Sequence, residues 1–286
     1  MMHKVLITGG NGRLGRYVCA ELASSCDVTV FDRVPPATDI RAIQGDIRDL
    51  SALRQAARAQ EAIVHLAGIP SPRHGSPQEI FITNTVGTWT VLQAALLSGV
   101  RRVLICSSDF ATGLLHQPPS VMPGYLPIDE MHPLCPTEAY GLSKQLSEEA
   151  AHGFARCGLE IIILRPALII FPEMRQQVAL WGADPNNPDL WWYVEPADVA
   201  LAFRLAVELS SVLSQTFFIG AANTFSLVPT LELVKNRYGQ LPEIRKPDVY
   251  RADPHAALFD ITHARTVLGF SPTSDWRRWT DVSSST

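Results

Sequence analysis

Residues 8–15 read Thr-Gly-Gly-Asn-Gly-Arg-Leu-Gly, and a short apolar run comes directly before them. In this spacing Gly9 permits a tight turn, Gly12 lets the backbone approach a pyrophosphate, and Gly15 allows a helix to pack closely on a strand. A helix that begins here directs its unpaired N–H groups and the positive end of its dipole to the phosphates. We therefore predict a phosphate-binding turn between a strand and a helix. The predicted contacts are Gly9, Asn11, Gly12, Arg13, Leu14 and Gly15.

The end of the second predicted strand decides which dinucleotide the turn would accept. The sequence Val-Thr-Val-Phe-Asp ends in Asp32, 17 residues after Gly15. A carboxylate at this place accepts hydrogen bonds from both hydroxyls of the adenosine ribose and repels a 2′-phosphate. NAD is therefore the predicted cofactor. NADP stays open as an alternative, because the guanidinium of Arg33 or Arg13 could pair with a 2′-phosphate.

Outward from this motif, short apolar strands alternate with longer amphipathic stretches. That rhythm is typical of βαβ units and predicts an α/β fold with a Rossmann-like doubly wound parallel sheet. The predicted strands are Lys4–Thr8, Val28–Asp32, Ala42–Gly45, Ala62–Ala67, Arg102–Ser107, Ile161–Leu164 and Gln215–Gly220. The predicted helices cover residues 13–24, 51–59, 79–98, 138–157 and 196–209.

The composition changes at Pro166, after which proline, tryptophan and asparagine become dense. On this ground we predict two units whose chain segments are interleaved. Residues 1–165 are expected to form an NAD(P)-binding Rossmann domain, completed by residues near 196–220. Residues 166–195 and 221–286 are expected to form a small mixed lid that binds the substrate.

The overall composition excludes several classes of protein. The formal net charge of −4 and the pI of about 6.1 give no sign of a nucleic-acid or anionic-membrane partner. The five cysteines show no paired spacing, which favours free thiols in a reducing compartment. The eight histidines form no cluster, so we predict no metal site. The apolar run near 161–171 is interrupted by Arg165 and Pro166, and we expect a cytoplasmic protein without a membrane span.

A second motif is Tyr140-Gly-Leu-Ser-Lys144, in a chain that has only four lysines. Positions i and i+4 of a helix share a face, so the phenol and the ammonium can project into one pocket. A nearby cation favours the phenolate and lowers the phenol pKa from its ordinary value of about 10. The pair is therefore predicted to move a proton on and off a substrate hydroxyl.

Further motifs follow in an order that resembles the extended short-chain dehydrogenase/reductase family, the NAD-dependent epimerase/dehydratase group. The matching segments are Asp46-Ile47, His65-Leu66-Ala67-Gly68, Asn84-Thr85-Val86-Gly87-Thr88, Ser107-Ser108, Arg165-Pro166, Asp198 and Leu268-Gly269-Phe270-Ser271-Pro272. The resemblance covers roughly residues 3–220. It implies that Asp46 and Ile47 flank the adenine, that the backbone of Leu66-Ala67-Gly68 runs beside the cofactor, and that Asn84 is a positioning residue.

The same resemblance, with the chemistry of the tyrosine–lysine pair, implies a mechanism. Tyr140 is expected to be the general base in oxidation and the general acid in reduction. Lys144 is expected to lower the phenol pKa and to bind the nicotinamide ribose. Ser108 is expected to hydrogen-bond the substrate oxygen and to stabilise its developing charge. The family also implies a homodimer through the helices at 79–98 and 138–157.

Departures from the family pattern bear on the substrate. Asp109-Phe110 stands where the sugar-nucleotide dehydratases have Asp-Glu, so dehydration is disfavoured. Leu168 replaces an Asn that usually contacts a nucleotide-sugar, and the span from Pro172 to Asp198 is short. A small sugar or sugar acid is therefore favoured. The compact lid is similar to that of uronate dehydrogenases, although those enzymes carry Asn-His in place of Asp109-Phe110.

Several functions stay open from the sequence. The leading one is an oxidoreductase that acts on a hydroxyl-bearing carbon of a small sugar-like molecule. An epimerase and a non-catalytic NAD-sensing protein are the alternatives. Arg175 is a candidate partner for a substrate anion, because guanidinium suits a carboxylate or phosphate, and a solvated loop arginine is the competing interpretation. The predicted substrate contacts are Ser71, Ser108, Asp109, Phe110 and Arg175.

Overall fold

A computed structural model describes residues 4–35, 40–210 and 214–280. Within them, a seven-stranded sheet has the order β3-β2-β1-β4-β5-β7-β10, and each pairing of neighbours is parallel. The order reverses between β1 and β4, where parallel sheets of this kind bind ligands beyond the carboxyl ends of their strands. The strands are β1 Lys4–Thr8, β2 Asp27–Asp32, β3 Ala42–Gln44, β4 Ala62–His65, β5 Arg102–Cys106, β7 Glu160–Pro166 and β10 Ser214–Ile219.

Helices cover both faces of the sheet. They are α1 Arg13–Leu22, α2 Leu50–Ala57, α3 Pro77–Phe81, α4 Gly87–Leu97, α5 Ala139–Arg156, α6 Val178–Ala183, α7 Pro196–Glu208, α8 Thr230–Tyr238, α9 Pro247–Ala252 and α10 Arg277–Thr280. Residues of one strand alternate between two apolar cores: Val5 and Ile7 of β1 pack with the α1 and α7 face, whereas Leu6 packs with the α2, α4 and α5 face. This two-sided burial confirms the predicted Rossmann-like α/β fold.

One long helical stretch runs from Pro77 to Leu97. Ser76 and Glu79 form a capping box at its start, and Ile82–Val86 between α3 and α4 is a π-helix. Among the described residues this stretch alone is long and apolar enough to cross a membrane, and half of its apolar window is buried in the protein. It packs on α5 and α2, so its apolar composition is that of a core helix. The sequence predicts this helix at 79–98, two residues later than it begins in the structure.

Smaller pairings build the region that follows the sheet. Strand β8 (Leu168–Ile169) pairs with β9 (Tyr193–Val194), and β6 (Tyr125–Leu126) pairs with β11 (Glu243–Ile244). Residues 125–126, which we had assigned to the nucleotide domain, thus contact the C-terminal region. The division into two domains stays a prediction.

Two separate chain segments are joined in the predicted lid by backbone hydrogen bonds. Ala221 N–H donates to Tyr193 O at 2.7 Å, and Phe225 N–H donates to Trp191 O at 3.0 Å. Stacking of Trp192 on Phe259, with ring centroids 4.2 Å apart and planes at 11°, adds a side-chain contact between them.

Candidate active site

The turn after β1 has the geometry of a phosphate cradle. Gly9 adopts φ +75°, which favours glycine, and its N–H donates to Phe31 O at 2.9 Å. A Cβ on Gly15 would lie 2.2 Å from Gly9 O, so the helix can approach the turn this closely only without a side chain. Gly12 is the N-cap of α1 and, among the described residues, no side chain caps the helix. The first N–H groups of α1 therefore face the cradle, which fits a dinucleotide pyrophosphate.

Asp32 lies beside this turn at the end of β2. Its carboxylate accepts hydrogen bonds from Asn11 N–H at 3.0 Å and Val34 N–H at 3.1 Å, which fixes its orientation next to the cradle. Further along this edge, a hydrogen bond from Arg48 holds the Asp46 pKa at about 2. Arg33 is close enough to contribute to that lowering.

Arg13 of the cradle contacts the segment that follows β8. Its guanidinium forms an ion pair with Glu173 and lies 3.9 Å from the centroid of the Phe171 ring. In this structure the guanidinium is thus engaged by Glu173 and Phe171, and its predicted pairing with a 2′-phosphate would require breaking these contacts.

A chain of hydrogen bonds joins the ends of β1 and β4 to the π-helix. Thr88 Oγ1–H donates to Asn84 O at 2.6 Å. Because the Thr88 hydroxyl proton is used in that bond, Thr88 Oγ1 accepts from His65 Nε2–H at 3.0 Å. His65 Nδ1 then accepts from Thr8 Oγ1–H at 2.7 Å. Burial lowers the pKa of His65 to about 3, and the ring is neutral. The histidine therefore fixes the strand ends that carry the cradle and the Leu66-Ala67-Gly68 backbone.

Asn84 connects this edge to α5. Its Oδ1 accepts from Ile69 N–H at 2.8 Å, and its Nδ2 donates to Ile69 O at 3.1 Å and to Ser143 Oγ at 3.0 Å. Ile47 packs against Gly87, one turn further on. Asn84 thus has the contacts of a positioning residue, since its amide is occupied by the protein.

Ser108, Tyr140 and Lys144 lie together beyond the end of β5. Tyr140 and Lys144 share one face of α5, and the Lys144 Nζ lies 5.6 Å from the Tyr140 ring centroid. The Lys144 ammonium donates to Cys106 O at 2.8 Å. Burial raises the pKa of Tyr140 and outweighs the nearby Ser108 hydroxyl, which favours the phenolate. The predicted lowering by Lys144 is therefore wrong for this arrangement, because the phenol is desolvated and the ammonium is directed to a carbonyl.

Asp109 and Phe110 lie next to this trio. Asp109 is only 2% exposed, its Oδ1 accepts from Ser108 Oγ–H at 3.0 Å, and its Oδ2 has no partner among the described residues. Burial raises the Asp109 pKa well above the usual range, which favours the uncharged carboxyl. Phe110 packs edge-to-face on Tyr140 with ring centroids 5.4 Å apart. An apolar ring thus occupies the side of the phenol where family dehydratases have a Glu.

A buried ion pair joins β7 to the helix that carries Tyr140 and Lys144. Arg165 of β7 donates to Glu148 of α5 at 2.6 and 3.0 Å, and Ser107 at the end of β5 donates to the same carboxylate. The side chains of Arg165 and Glu148 are 5% and 2% exposed. The sequence analysis missed Glu148, although it lies four residues after Lys144 on the same face of the helix.

Two predicted substrate contacts are engaged elsewhere. Arg175 forms an ion pair with Glu195 at 2.6 Å, and its guanidinium lies 5.3 Å from the Trp279 ring centroid. It is not a free cation, which argues against its predicted role as the partner of a substrate anion. Ser71 Oγ is hydrogen-bonded to the His74 ring at 2.5 Å.

A parallel Rossmann sheet, a glycine cradle at its switch point and a Ser-Tyr-Lys trio define a nicotinamide-dependent enzyme of the extended short-chain dehydrogenase/reductase kind. Residues 5–179 match the NAD dependent epimerase/dehydratase family, and the chain belongs to this family. The resemblance inferred from the sequence is confirmed, and NAD is the cofactor of the family.

Relatives within this family carry out different reactions. A UDP-glucose 4-epimerase of Streptomyces lividans is 28% identical over 95% of this chain and 92% of its own. An L-arabinose 1-dehydrogenase (NAD(P)(+)) of Haloferax volcanii is 29% identical over 73% of this chain and 84% of its own.

Solved structures share the fold along nearly the whole chain. A short-chain dehydrogenase/reductase superfamily protein from Agrobacterium tumefaciens with bound NAD has a TM-score of 0.73 and 25% identity, covering 97% of this chain and 94% of its own. A mutated uronate dehydrogenase has a TM-score of 0.69 and 20% identity, covering 98% and 84%. These likenesses show a shared fold.

Proposed function

We propose that this protein is an NAD(P)-dependent oxidoreductase that transfers hydride between nicotinamide and a hydroxyl-bearing carbon of a small sugar or sugar-acid-like substrate. The observation that carries the proposal is the placement of Ser108, Tyr140 and Lys144 in one group beyond β5. His65 and Asn84 connect that group to the edge of the sheet that carries the glycine cradle.

Each member of the group has a defined task in the proposed reaction. A bound nicotinamide supplies the hydride acceptor or donor. Ser108 binds the substrate oxygen, and Tyr140 takes the hydroxyl proton in oxidation and returns it in reduction. Lys144, whose Nζ lies 5.6 Å from the centroid of the Tyr140 ring, would bind the nicotinamide ribose. Asp109, through its hydrogen bond to Ser108, orients the serine hydroxyl.

The surroundings of the trio support a small substrate. Phe110 fills the space beside the phenol, and Leu168 on β8 offers no hydrogen bond where the family's nucleotide-sugar enzymes have an Asn. The arabinose dehydrogenase among the relatives is named for a free sugar. Together these observations favour a free sugar over a sugar nucleotide.

Epimerisation is the second candidate, and the similarity to UDP-glucose 4-epimerases along 95% of the chain favours it. An epimerase returns the hydride to the opposite face of the same carbon, so it holds its NAD and releases no NADH. A non-catalytic NAD-sensing protein is the third candidate. The intact trio weighs against it, because a sensor has no need of a buried phenol beside a serine and a lysine.

The decisive measurement is NADH formation by the purified protein with NAD⁺ or NADP⁺ and a panel of aldoses, uronic acids and small hydroxy acids. Tyr140→Phe should reduce kcat below about a tenth of the wild-type value while NAD binding persists. Because burial raises the Tyr140 pKa, oxidation should accelerate as pH rises and more phenolate forms. Tightly held NAD without net reduction would instead support the epimerase.

We also propose a cytoplasmic homodimer. Ile82, Val86, Trp89 and Leu97 are exposed on the long helix Pro77–Leu97, and Trp89 contacts Phe154 of α5 edge-to-face at 5.1 Å. An exposed apolar stripe beside a second helix is typical of a two-fold interface. Sedimentation should therefore give twice the chain mass, and Trp89→Glu should give a monomer.

A further inference from the structure

A histidine–aspartate pair lies beside Phe110, the residue that also packs on Tyr140. His116 Nε2 and Asp189 Oδ1 are 3.0 Å apart. The Phe110 ring contacts both His116 and Tyr140, with its centroid 5.1 Å from the His116 ring and 5.4 Å from the Tyr140 ring. The sequence analysis singled out neither His116 nor Asp189.

Two loops hold this pair in place. His116 N–H donates to Pro188 O at 2.9 Å. Arg237 is buried and ties the same loops together, since its guanidinium donates to Gln117 O at 2.9 Å and to Asn187 O at 3.2 Å. The Arg237 guanidinium is thus hydrogen-bonded to backbone carbonyls and is not directed at a substrate anion.

The backbone at the pair is strained. Four non-glycine residues among those described have positive φ, and three of them are here: His116 (+56°), Leu190 (+51°) and Trp191 (+55°). Left-handed backbone at such residues costs of order 1 kcal/mol or more each and persists where the surrounding structure fixes it, often at functional sites. Here the strain falls on His116 itself and on the two residues directly after Asp189.

The chemistry of the pair suits a hydroxyl group. His116 and Asp189 side chains are 27% and 16% exposed, so both are reachable from solvent. Nε2 is bonded to Asp189, and Nδ1 has no hydrogen-bond partner among the described residues. The Asp189 carboxylate lies directly beside His116, so the negative charge of an incoming substrate carboxylate would be repelled there. A neutral hydroxyl meets no such repulsion and can pair with Nδ1.

We propose that His116, held by Asp189, is a specificity-determining residue that hydrogen-bonds a hydroxyl of a neutral free aldose whose reacting carbon lies at Tyr140. This inference rests on the proposed function and assigns its substrate class: a neutral sugar in preference to a uronate.

The left-handed backbone of His116 allows its imidazole to be removed without disturbing the main chain. Since φ at His116 is +56°, His116→Gly removes the imidazole without adding strain, and His116→Asn keeps a hydrogen-bonding group in a residue that tolerates this conformation. His263→Ala is the matched control. His263 also stacks on a phenylalanine, Phe217, and bonds one side chain, that of Gln215, and both partners belong to the edge strand β10.

The assay measures KM and kcat with D-galactose and D-galacturonate, which differ only at carbon six, together with the best aldose of the panel. Loss of one neutral hydrogen bond predicts a KM for the aldose raised about fivefold in His116→Gly, with kcat within about twofold. His116→Asn should recover part of the loss, and His263→Ala should leave both constants unchanged. An unchanged KM in His116→Gly, or a larger effect on the uronate than on the aldose, would overturn the inference.

Failure of the proposed function looks different. If no sugar yields NADH, titration calorimetry with L-arabinose on NAD-loaded wild type and His116→Gly decides the binding question alone. Weaker binding in the variant would support the hydroxyl contact although the reaction is not oxidation. Equal binding, or none to the wild type, would remove it.

Discussion

Removing the buried carboxylate of Glu148 should destabilise the protein far more than the loss of an ordinary ion pair. Glu148→Leu leaves the Arg165 guanidinium, 5% exposed, without its counter-charge. An uncompensated buried charge costs about 3–5 kcal/mol, and the lost acceptor of Ser107 adds about 1 kcal/mol. The whole free energy of unfolding of a typical domain is only about 5–15 kcal/mol. We therefore expect Tm to fall by roughly 10 °C or more.

The double variant separates charge from packing. Glu148→Leu with Arg165→Met replaces the pair by apolar groups of similar length and should be more stable than Glu148→Leu alone, because no charge is left buried. Urea unfolding followed by circular dichroism and tryptophan fluorescence gives the free energies. Glu208→Ala breaks a partly exposed pair with Arg204 and, as control, should cost at most about 0.5 kcal/mol. Glu148→Leu with a cost near that of the control, or a double variant as unstable as the sum of its singles, would refute the reasoning.

Three further changes test other parts of the site. Gly15→Ala places a methyl group 2.2 Å from Gly9 O and should abolish NAD binding in calorimetry; a folded variant with unchanged affinity would contradict the cradle. Glu173→Gln releases Arg13 and should raise the NADP⁺/NAD⁺ ratio of kcat/KM about two- to fivefold, the range of a surface ion pair, and an unchanged ratio would show that Arg13 does not reach the phosphate. The pKa of His65 is about 3 when folded and about 6.5 when unfolded, so the unfolded chain binds the extra proton between these values. Stability should therefore fall by up to about 1.4 kcal/mol per unit as pH drops through this window, and urea midpoints of His65→Asn should lack that part of the slope.

The sheet could be predicted because its information is local. Each strand is a short apolar run bounded by turn residues. Because both faces of the sheet are buried, such a run can be recognised as a strand without knowing which strand it pairs with. Strand β1 occupies Lys4–Thr8, as the sequence predicts, and β3 ends one residue earlier than expected, at Gln44. The helix predicted at 79–98 begins at Pro77 because Ser76 and Glu79 cap it, a signal that was present in the sequence.

Long-range pairings could not be predicted in this way. The engagement of Arg175 depends on Glu195 and Trp279, which lie 20 and 104 residues further along the chain. No spacing rule connects such positions. The raised Tyr140 pKa has the same origin, since desolvation depends on how many distant segments cover the phenol. The i, i+4 relation of Tyr140 and Lys144 correctly placed both side chains on one face, but it carried no information about burial.

The hydrogen bonds between residues 191–193 and 221–225 have a practical consequence for engineering. An enzyme whose specificity region is one contiguous insert can be given a new substrate by exchanging that insert. Exchanging residues 191–193 alone would leave their hydrogen-bond donors unchanged, because Tyr193 O and Trp191 O accept from N–H groups in a segment beyond α7. A chimaera with a relative would have to replace both segments at once. A crossover placed within α7 would combine one segment of this protein with the other segment of the relative and would disturb the hydrogen bonds between them.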